Sequence, residues 1–446
     1  MLDLRCYRSV WTSSRFFSVV VISVSARLLA SQVPVPGQSS GGASLGVDDC
    51  IRMAMEAPST VRSARQELRA TNYAVNAAVG GFFPITSAQG GYTYNSPSHG
   101  SQSFIALNAT REYQTFLSTT VELDTSGRLR GGLARARADR DVARANVQIE
   151  ERDLKRAVTA AYYRVLLAKH IRDTAQSSLD EAKRFENLTQ QLFAGGESAR
   201  ADVVKAHAQS AISAQFLEQA ELEHRIANQD LASYWTTDVG AELRLVDVLA
   251  GQPPEQPGET VVRSTTVSAP YLTRPEFARL EANRRGFQAD FRIARAGLLP
   301  SLAFTYQYGI DAPVYSWSYR GHAAFITLSF PIFDFFQTRN TYKQFQMRAQ
   351  IVETERQINE RQFSRDYQTA LARLRSTVYQ LRITRDQVKS SEDNLNLAQI
   401  RYKGGEGLAL DVVTAVQQLA QARTNFYTAF AEYFNAEADL RVAEGR

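Results

Sequence analysis

Two textures alternate along the chain. Over 302–310, Leu302, Phe304, Tyr306, Tyr308 and Ile310 take every second place, against Ala303, Thr305, Gln307 and Gly309. Past the loop Pro313–Gly321, Ala324, Ile326, Leu328, Phe330 and Ile332 alternate with Phe325, Thr327 and Ser329. A period of two predicts strands, so two are expected within 300–333. A weaker version runs through 82–124, with Tyr113, Leu117, Val121 and Leu123 on one face and Gln114, Ser118 and Glu122 on the other. Elsewhere apolar residues recur every three or four places, which predicts helices over 47–79 (with Pro58 near a break), 128–193, 201–236, 271–296, 338–403 and 408–443. The two long ones reach about 99 Å at 1.5 Å rise per residue. The reading is mainly α, with four β-strands.

The order helix, strand, strand, long helix, turn, helix occurs twice. Leu192–Ala206 (LFAGGESARADVVKA) and Arg401–Ala415 (RYKGGEGLALDVVTA) match at a constant offset of 209. Phe193 pairs with Tyr402, Gly195 with Gly404, Gly196 with Gly405, Glu197 with Glu406, Asp202 with Asp411, Val203 with Val412, Val204 with Val413 and Ala206 with Ala415. Solenoid units repeat every 20–50 residues or so; this is a duplicated domain. The first repeat is 47–236, with its turn at 194–200. The second is 271–446, with its turn at 404–407. The Gly/Pro-rich stretch 237–270 is an irregular linker between them.

Composition adds bounds. No run of 18 apolar residues lies outside the N-terminus, which argues against membrane-spanning helices. Residues 1–30 read as a secretory signal: arginines up to Arg15, the apolar run Phe16–Ala26, and a cleavage point after Ala26 or Ala30. That segment holds most of the net charge of +5, so nucleic acid is not an expected partner. Residues 31–46 are expected to be a flexible lead-in. Beyond the signal Cys50 is the only cysteine, and it is read as a helix residue. His99, His170, His207, His224 and His322 show no metal-ligand spacing, and no nucleophile elbow or nucleotide loop is present. Neither catalysis nor a cofactor is expected.

The geometry then constrains the assembly. Alternating strands of about ten residues match tilted crossings of an outer membrane. Aromatic residues gather at their ends, among them Phe104, Tyr113, Tyr315, Trp317, Tyr319, Phe333 and Phe335. Four strands cannot close a barrel, and an unpaired edge in lipid costs several kcal/mol per orphaned group. Copies of the chain must therefore pool strands, with the long helices projecting to the periplasmic side.

The duplicated layout, the two Gly-Gly and Asp-Val-Val turns, and the exits Asp124-Thr125-Ser126-Gly127-Arg128 and Phe330-Pro331-Ile332-Phe333-Asp334 resemble the TolC-type outer membrane efflux proteins. The resemblance covers about 45–445. It implies a homotrimer in which a 12-stranded transmembrane β-barrel continues into a coiled-coil α-barrel. It also implies an exit duct for an inner-membrane pump acting through a periplasmic adaptor. Type I protein secretion is the alternative within the family, and a soluble periplasmic coiled-coil scaffold the alternative outside it.

By the same resemblance Asp411 lines the closed aperture, with Thr414 where some members carry a second aspartate. Asp202 and Tyr402 map to contacts that hold the tip closed, and Gly407 stands where the best-known members use an arginine. Symmetry copies of one aspartate at a constriction form an acidic ring that favours cations. Asp202 and Asp411 also suit helix capping or a first-turn charge. Asp202 is followed by Lys205 and Asp411 by Thr414, so a gate is expected to rest on the second copy. Gly195, Gly196, Gly404 and Gly405 read as left-handed turn residues. With Glu197 and Glu406 they form the surface where an adaptor would dock.

Overall fold

The chain divides into two units, 1–43 and 44–446. The computed structural model describes residues 44–96, 110–251 and 269–446, all in the second unit. The expected signal segment, Phe104, His99 and most of the expected lead-in lie outside the described residues. Seven α-helices and four strands account for most of what is described: α1 (Val47–Glu56), α2 (Thr60–Gly80), β1 (Ile85–Tyr94), β2 (Arg111–Leu123), α3 (Arg128–Ala194), α4 (Arg200–Ala232), α5 (Pro275–Ala296), β3 (Ser301–Ala312), β4 (Arg320–Ser329), α6 (Gln337–Lys403) and α7 (Ala409–Ala443).

Local chemistry sets the breaks. Ala57, ahead of Pro58, is extended (φ −67°, ψ 164°) and ends α1, because a residue before proline is pushed out of the helical region. Strand β4 stops at Ser329, short of the alternation that runs on to Ile332. Pro331 follows, and it has no N–H to give a ladder. Leu45, inside the expected lead-in, is bridged to Leu245 of the expected linker, and Leu249 is buried.

The two 67-residue helices α3 and α6 are the long members of the molecule, each about 100 Å. On α3, α2 packs along the strand-proximal part and α4 along the rest. Helices α5 and α7 divide α6 in the same way. The repeats join where α5 lies against α3. There Gly131 sits so close to Ile293 that a Cβ would fall 2.7 Å from its Cγ1, and a Cβ on Gly286 would meet Arg135 at 2.9 Å. A glycine inside a helix costs about 1 kcal/mol against alanine; at these two places it permits the approach of the repeats. The largest core gathers α1, α3, α4 and α7 around Tyr162, Leu166, Leu231, Leu249 and Phe430. Tyr162 donates a hydrogen bond of 2.7 Å to the Val246 carbonyl, tying the linker to α3.

The four strands form one antiparallel sheet in the order β1-β2-β3-β4. Directly paired residues share a face. The register puts Leu302, Phe304, Tyr306 and Tyr308 beside Leu123, Val121, Thr119 and Leu117 on one side, and beside Leu328, Ile326, Ala324 and His322 on the other. The opposite face carries Ser87, Gln89, Gln114, Ser118, Thr120, Thr305, Gln307 and Thr327. Ile85, Phe116 and Phe325 are its apolar exceptions. Among the described residues nothing covers the apolar face: Phe304, Tyr306, Leu117, Ile326 and Leu328 are exposed. No helix among the described residues is long and apolar enough to cross a membrane.

Candidate functional site

At the end of the helices away from the sheet, both repeats turn in the same way. In the first, Gly195 ends α3, Gly196 donates to the Phe193 carbonyl (3.0 Å) and Glu197 to the Leu192 carbonyl (2.8 Å). In the second, Gly405 donates to Tyr402 (3.1 Å) and Glu406 to Arg401 (3.0 Å). These are Schellman caps, which satisfy the last helical carbonyls and place one residue in the left-handed region. That residue is Gly196 (φ 79°) and Gly405 (φ 77°). The expectation that all four glycines are left-handed is therefore corrected. Gly195 (φ −79°) and Gly404 (φ −79°) stay helical, because each closes its helix before the chain reverses.

The two turns pack side by side. Phe185 and Ala206 of the first repeat share a core with Tyr402, Ala409, Val412, Ala415 and Val416 of the second. Tyr402 is buried, stands edge-on to Phe185 with centroids 5.1 Å apart, and meets the Ser198 hydroxyl at 3.2 Å. Gln417 donates to Gln209 at 2.7 Å. Asp202 pairs with Lys205, one helical turn along, at 3.3 Å. Within one chain, then, Tyr402 bonds Ser198 and not Asp202. The sequence reading missed Ser198, since a serine in a glycine-rich turn carries no signal of its own.

Asp411 is exposed at the third position of α7, where its Oδ2 accepts the Leu408 N–H at 3.2 Å. That is a capping bond to an otherwise orphaned donor. Thr414, one turn on, is exposed, and its hydroxyl returns to the Leu410 carbonyl at 2.8 Å. Gly407 fits closely: a Cβ there would lie 2.9 Å from the Tyr402 nitrogen and 3.1 Å from the Arg401 carbonyl carbon. This turn has no room for a side chain at position 407. Glu197, Glu406, Gly195 and Gly404 are exposed around the turns.

One histidine, His170, is buried, while His207 and His322 are exposed. His170 is stacked on Tyr427 (4.2 Å) and meets Asp247 at 2.9 Å, with Lys169 on the other carboxylate oxygen at 2.6 Å. Burial raises the Asp247 pKa, but the bonds from Lys169 and His170 outweigh it and hold the group below the ordinary aspartate value. Among the described residues no cluster of three metal-ligating side chains occurs.

A family model described as outer membrane efflux protein matches residues 50–237 and 271–446, both repeats. Sequence comparison with curated proteins finds no match. Among solved structures, the chain is similar to the Campylobacter jejuni CmeC outer membrane channel, with a TM-score of 0.81 at 14% identity over 90% of this chain and 85% of that one. It is similar to the outer-membrane channel OprN (0.76, 20%, 90% and 89%). It is also similar to the open state of the Neisseria gonorrhoeae MtrE outer membrane channel (0.74, 20%, 90% and 88%).

Proposed function

The chain belongs to the outer membrane efflux protein family, and from that premise we propose that it is the exit duct of a tripartite efflux system. It is a transport protein of the outer membrane, not an enzyme. Three copies pool their sheets into one closed barrel, and their helices line a periplasmic tunnel ending at the paired turns. Substrate leaves an inner-membrane pump, passes a periplasmic adaptor seated on the turns around Gly195, Gly196, Glu197, Gly404, Gly405 and Glu406, and exits through the barrel.

One observation carries this reading: a four-stranded sheet with an apolar face, a polar face and two edges, β1 and β4, that are unpaired among the described residues. In hydrocarbon those edges require partners, and the polar face requires water. Twelve residues of β3 extend about 40 Å, or about 28 Å of depth at a tilt of 45°, which suits a bilayer core. An apolar stripe left exposed on α6, through Ile351, Ile358, Tyr379, Ile383, Leu397 and Ile400, supports helix packing between copies as well.

At the mouth, copies of Asp411 form an acidic ring, with Thr414 beside it. Lys205 neutralises Asp202, so the first repeat adds no second ring and braces the second through Ser198 and Tyr402. Single-channel recordings test this. Asp411→Ala should lower cation preference and relieve block by multivalent cations. Unchanged selectivity would leave Asp411 a helix cap only.

A further inference from the structure

Every seventh residue of α6 from Arg361 to Lys389 belongs to one row: Arg361, Gln368, Arg375, Arg382 and Lys389. Residues seven apart stay on one side of a coiled-coil helix. All five are exposed, and the four cations make no ion pair among the described residues. No carboxylate or apolar side chain interrupts the row. On α3, by contrast, Arg135, Arg152, Arg156 and Arg164 each hold a carboxylate.

The duplication fixes the direction in which the row looks. The offset of 209 carries Arg375, Arg382 and Lys389 back to Leu166, Asp173 and Asp180 of α3. That side of α3 bears α1 and the linker: Leu166 shares a core with Cys50 and Leu249, and Lys169 bonds Asp247 at 2.6 Å. A duct keeps its lumen clear, so added segments stand on its outer wall. The equivalent row of α6 therefore looks outward too. Helix handedness agrees. Helices α3 and α6 both run away from the sheet, with α7 between them, and each residue turns the helix by about 100°. On α3, Tyr162 touches the linker and the next residue, Tyr163, stacks on Phe434 of α7 at 4.4 Å. On the far side of α7 the order reverses. There Leu374 and Leu381 face α7, and the outward residues Arg375 and Arg382 follow them.

From Gln337, at the sheet end of α6, a rise of 1.5 Å per residue puts Arg361 about 36 Å and Lys389 about 78 Å into the periplasm. Membrane phosphates are out of reach at that depth. Protein interfaces are built around a dry, apolar centre, and a line of solvated cations offers none. It suits a hydrated polyanion. The polyanion fixed in the periplasm, which a shaft of this length crosses, is peptidoglycan, with free carboxylates on its stem peptides. We propose that the row Arg361, Arg375, Arg382 and Lys389 binds those carboxylates and ties the shaft to the cell wall. The inference rests on the outer-membrane reading above. Three copies present three rows, so weak single contacts add by avidity.

Co-sedimentation tests it, with the purified full-length protein in detergent and isolated peptidoglycan sacculi. The protein should pellet with intact sacculi, stay in solution once lysozyme has digested them, and pellet less as salt is raised. The variant Arg361→Gln/Arg375→Gln/Arg382→Gln/Lys389→Gln should pellet several-fold less. The variant Arg62→Gln/Arg69→Gln/Arg292→Gln/Arg295→Gln removes the same charge from exposed arginines off the row and should pellet like the parent. Melting temperature and single-channel conductance read the fold and the duct separately, and both variants should keep them. If the parent conducts but does not pellet, or both variants lose pelleting equally, the wall contact is wrong and the duct stands. If the row variant pellets like the parent but no longer binds a periplasmic protein, the row docks protein and the wall contact is again wrong. If the parent forms no channel, the duct reading fails and the wall contact with it.

Discussion

Gly196 and Gly405 are held at φ 79° and 77°, whereas Gly195 and Gly404 beside them are not. Alanine at Gly405 should destabilise the turn by about 1 kcal/mol or more. Alanine at Gly404 meets only ordinary contacts, 3.6 Å from two carbonyls, and should be neutral or slightly stabilising. Thermal melts of the two variants check the contrast. Tyr402→Phe removes the Ser198 contact and should cost about 1 kcal/mol at the turn. It should also raise the frequency of open events in single-channel traces, with Ser198→Ala giving the same effect. Cys50 is fully buried on α1, and burial, with Asp49 adding to it, pushes its thiol up to about 12. It should resist thiol reagents at neutral pH until the chain unfolds, as maleimide labelling across a denaturant series would report. The Gly-Gly pairs could be found in the sequence at once, but which member takes the strained conformation depends on where the helix ends.

At the scale of elements, the repeats meet through a buried charge cluster. Glu276, at the start of α5, is gripped by Arg152 of α3 through two bonds (2.8 and 3.1 Å) and by Arg274 at 2.9 Å, and Arg274 stacks 3.9 Å over Phe363. Burial raises the Glu276 pKa, but the bonds from Arg152 and Arg274 outweigh that and bring it from 4.5 to about 2. A depressed carboxylate stabilises the fold fully above its unfolded value. That contribution is lost as pH falls from about 4.5 toward 2. Glu276→Gln leaves Arg274 without its carboxylate and Arg152 with only the more exposed Asp153, 2.9 Å away, and should cost about 3 kcal/mol at neutral pH. It should also flatten the acid limb of a stability–pH curve measured between pH 2 and 5. The periodicity of α3 was only partly legible for a related reason. Leu154, Val165, Ala175 and Leu179 follow one stripe and are buried. Tyr162, Leu166 and Phe185 are buried off it, because α3 meets α1, α2, α4, α5 and α7 at different heights and no single face serves them all. Arg152 is buried among these apolar residues because its partner comes from the other repeat.

For the whole molecule, the sheet was the most legible part, since one register aligns the apolar residues of β2, β3 and β4 on one face and a slip of one residue would turn them to water. The mouth was less so. Duplication located the turns, but the pairing of Tyr402 with Ser198 and of Asp202 with Lys205 depends on how two distant helix ends lie together. The edges of β1 and β4 carry the central proposal, that each chain is one third of a closed wall. Disulfide scanning across that seam tests it directly. With Cys6 and Cys50 replaced by serine, Ser87→Cys in β1 is combined in turn with Gly321→Cys, Ala323→Cys, Phe325→Cys and Thr327→Cys in β4, all on the polar face. On oxidation in the membrane, the pairing that matches the seam should give covalent dimers and trimers and nothing larger. Absence of inter-chain cross-links at every position, or a ladder running past three chains, would contradict the account.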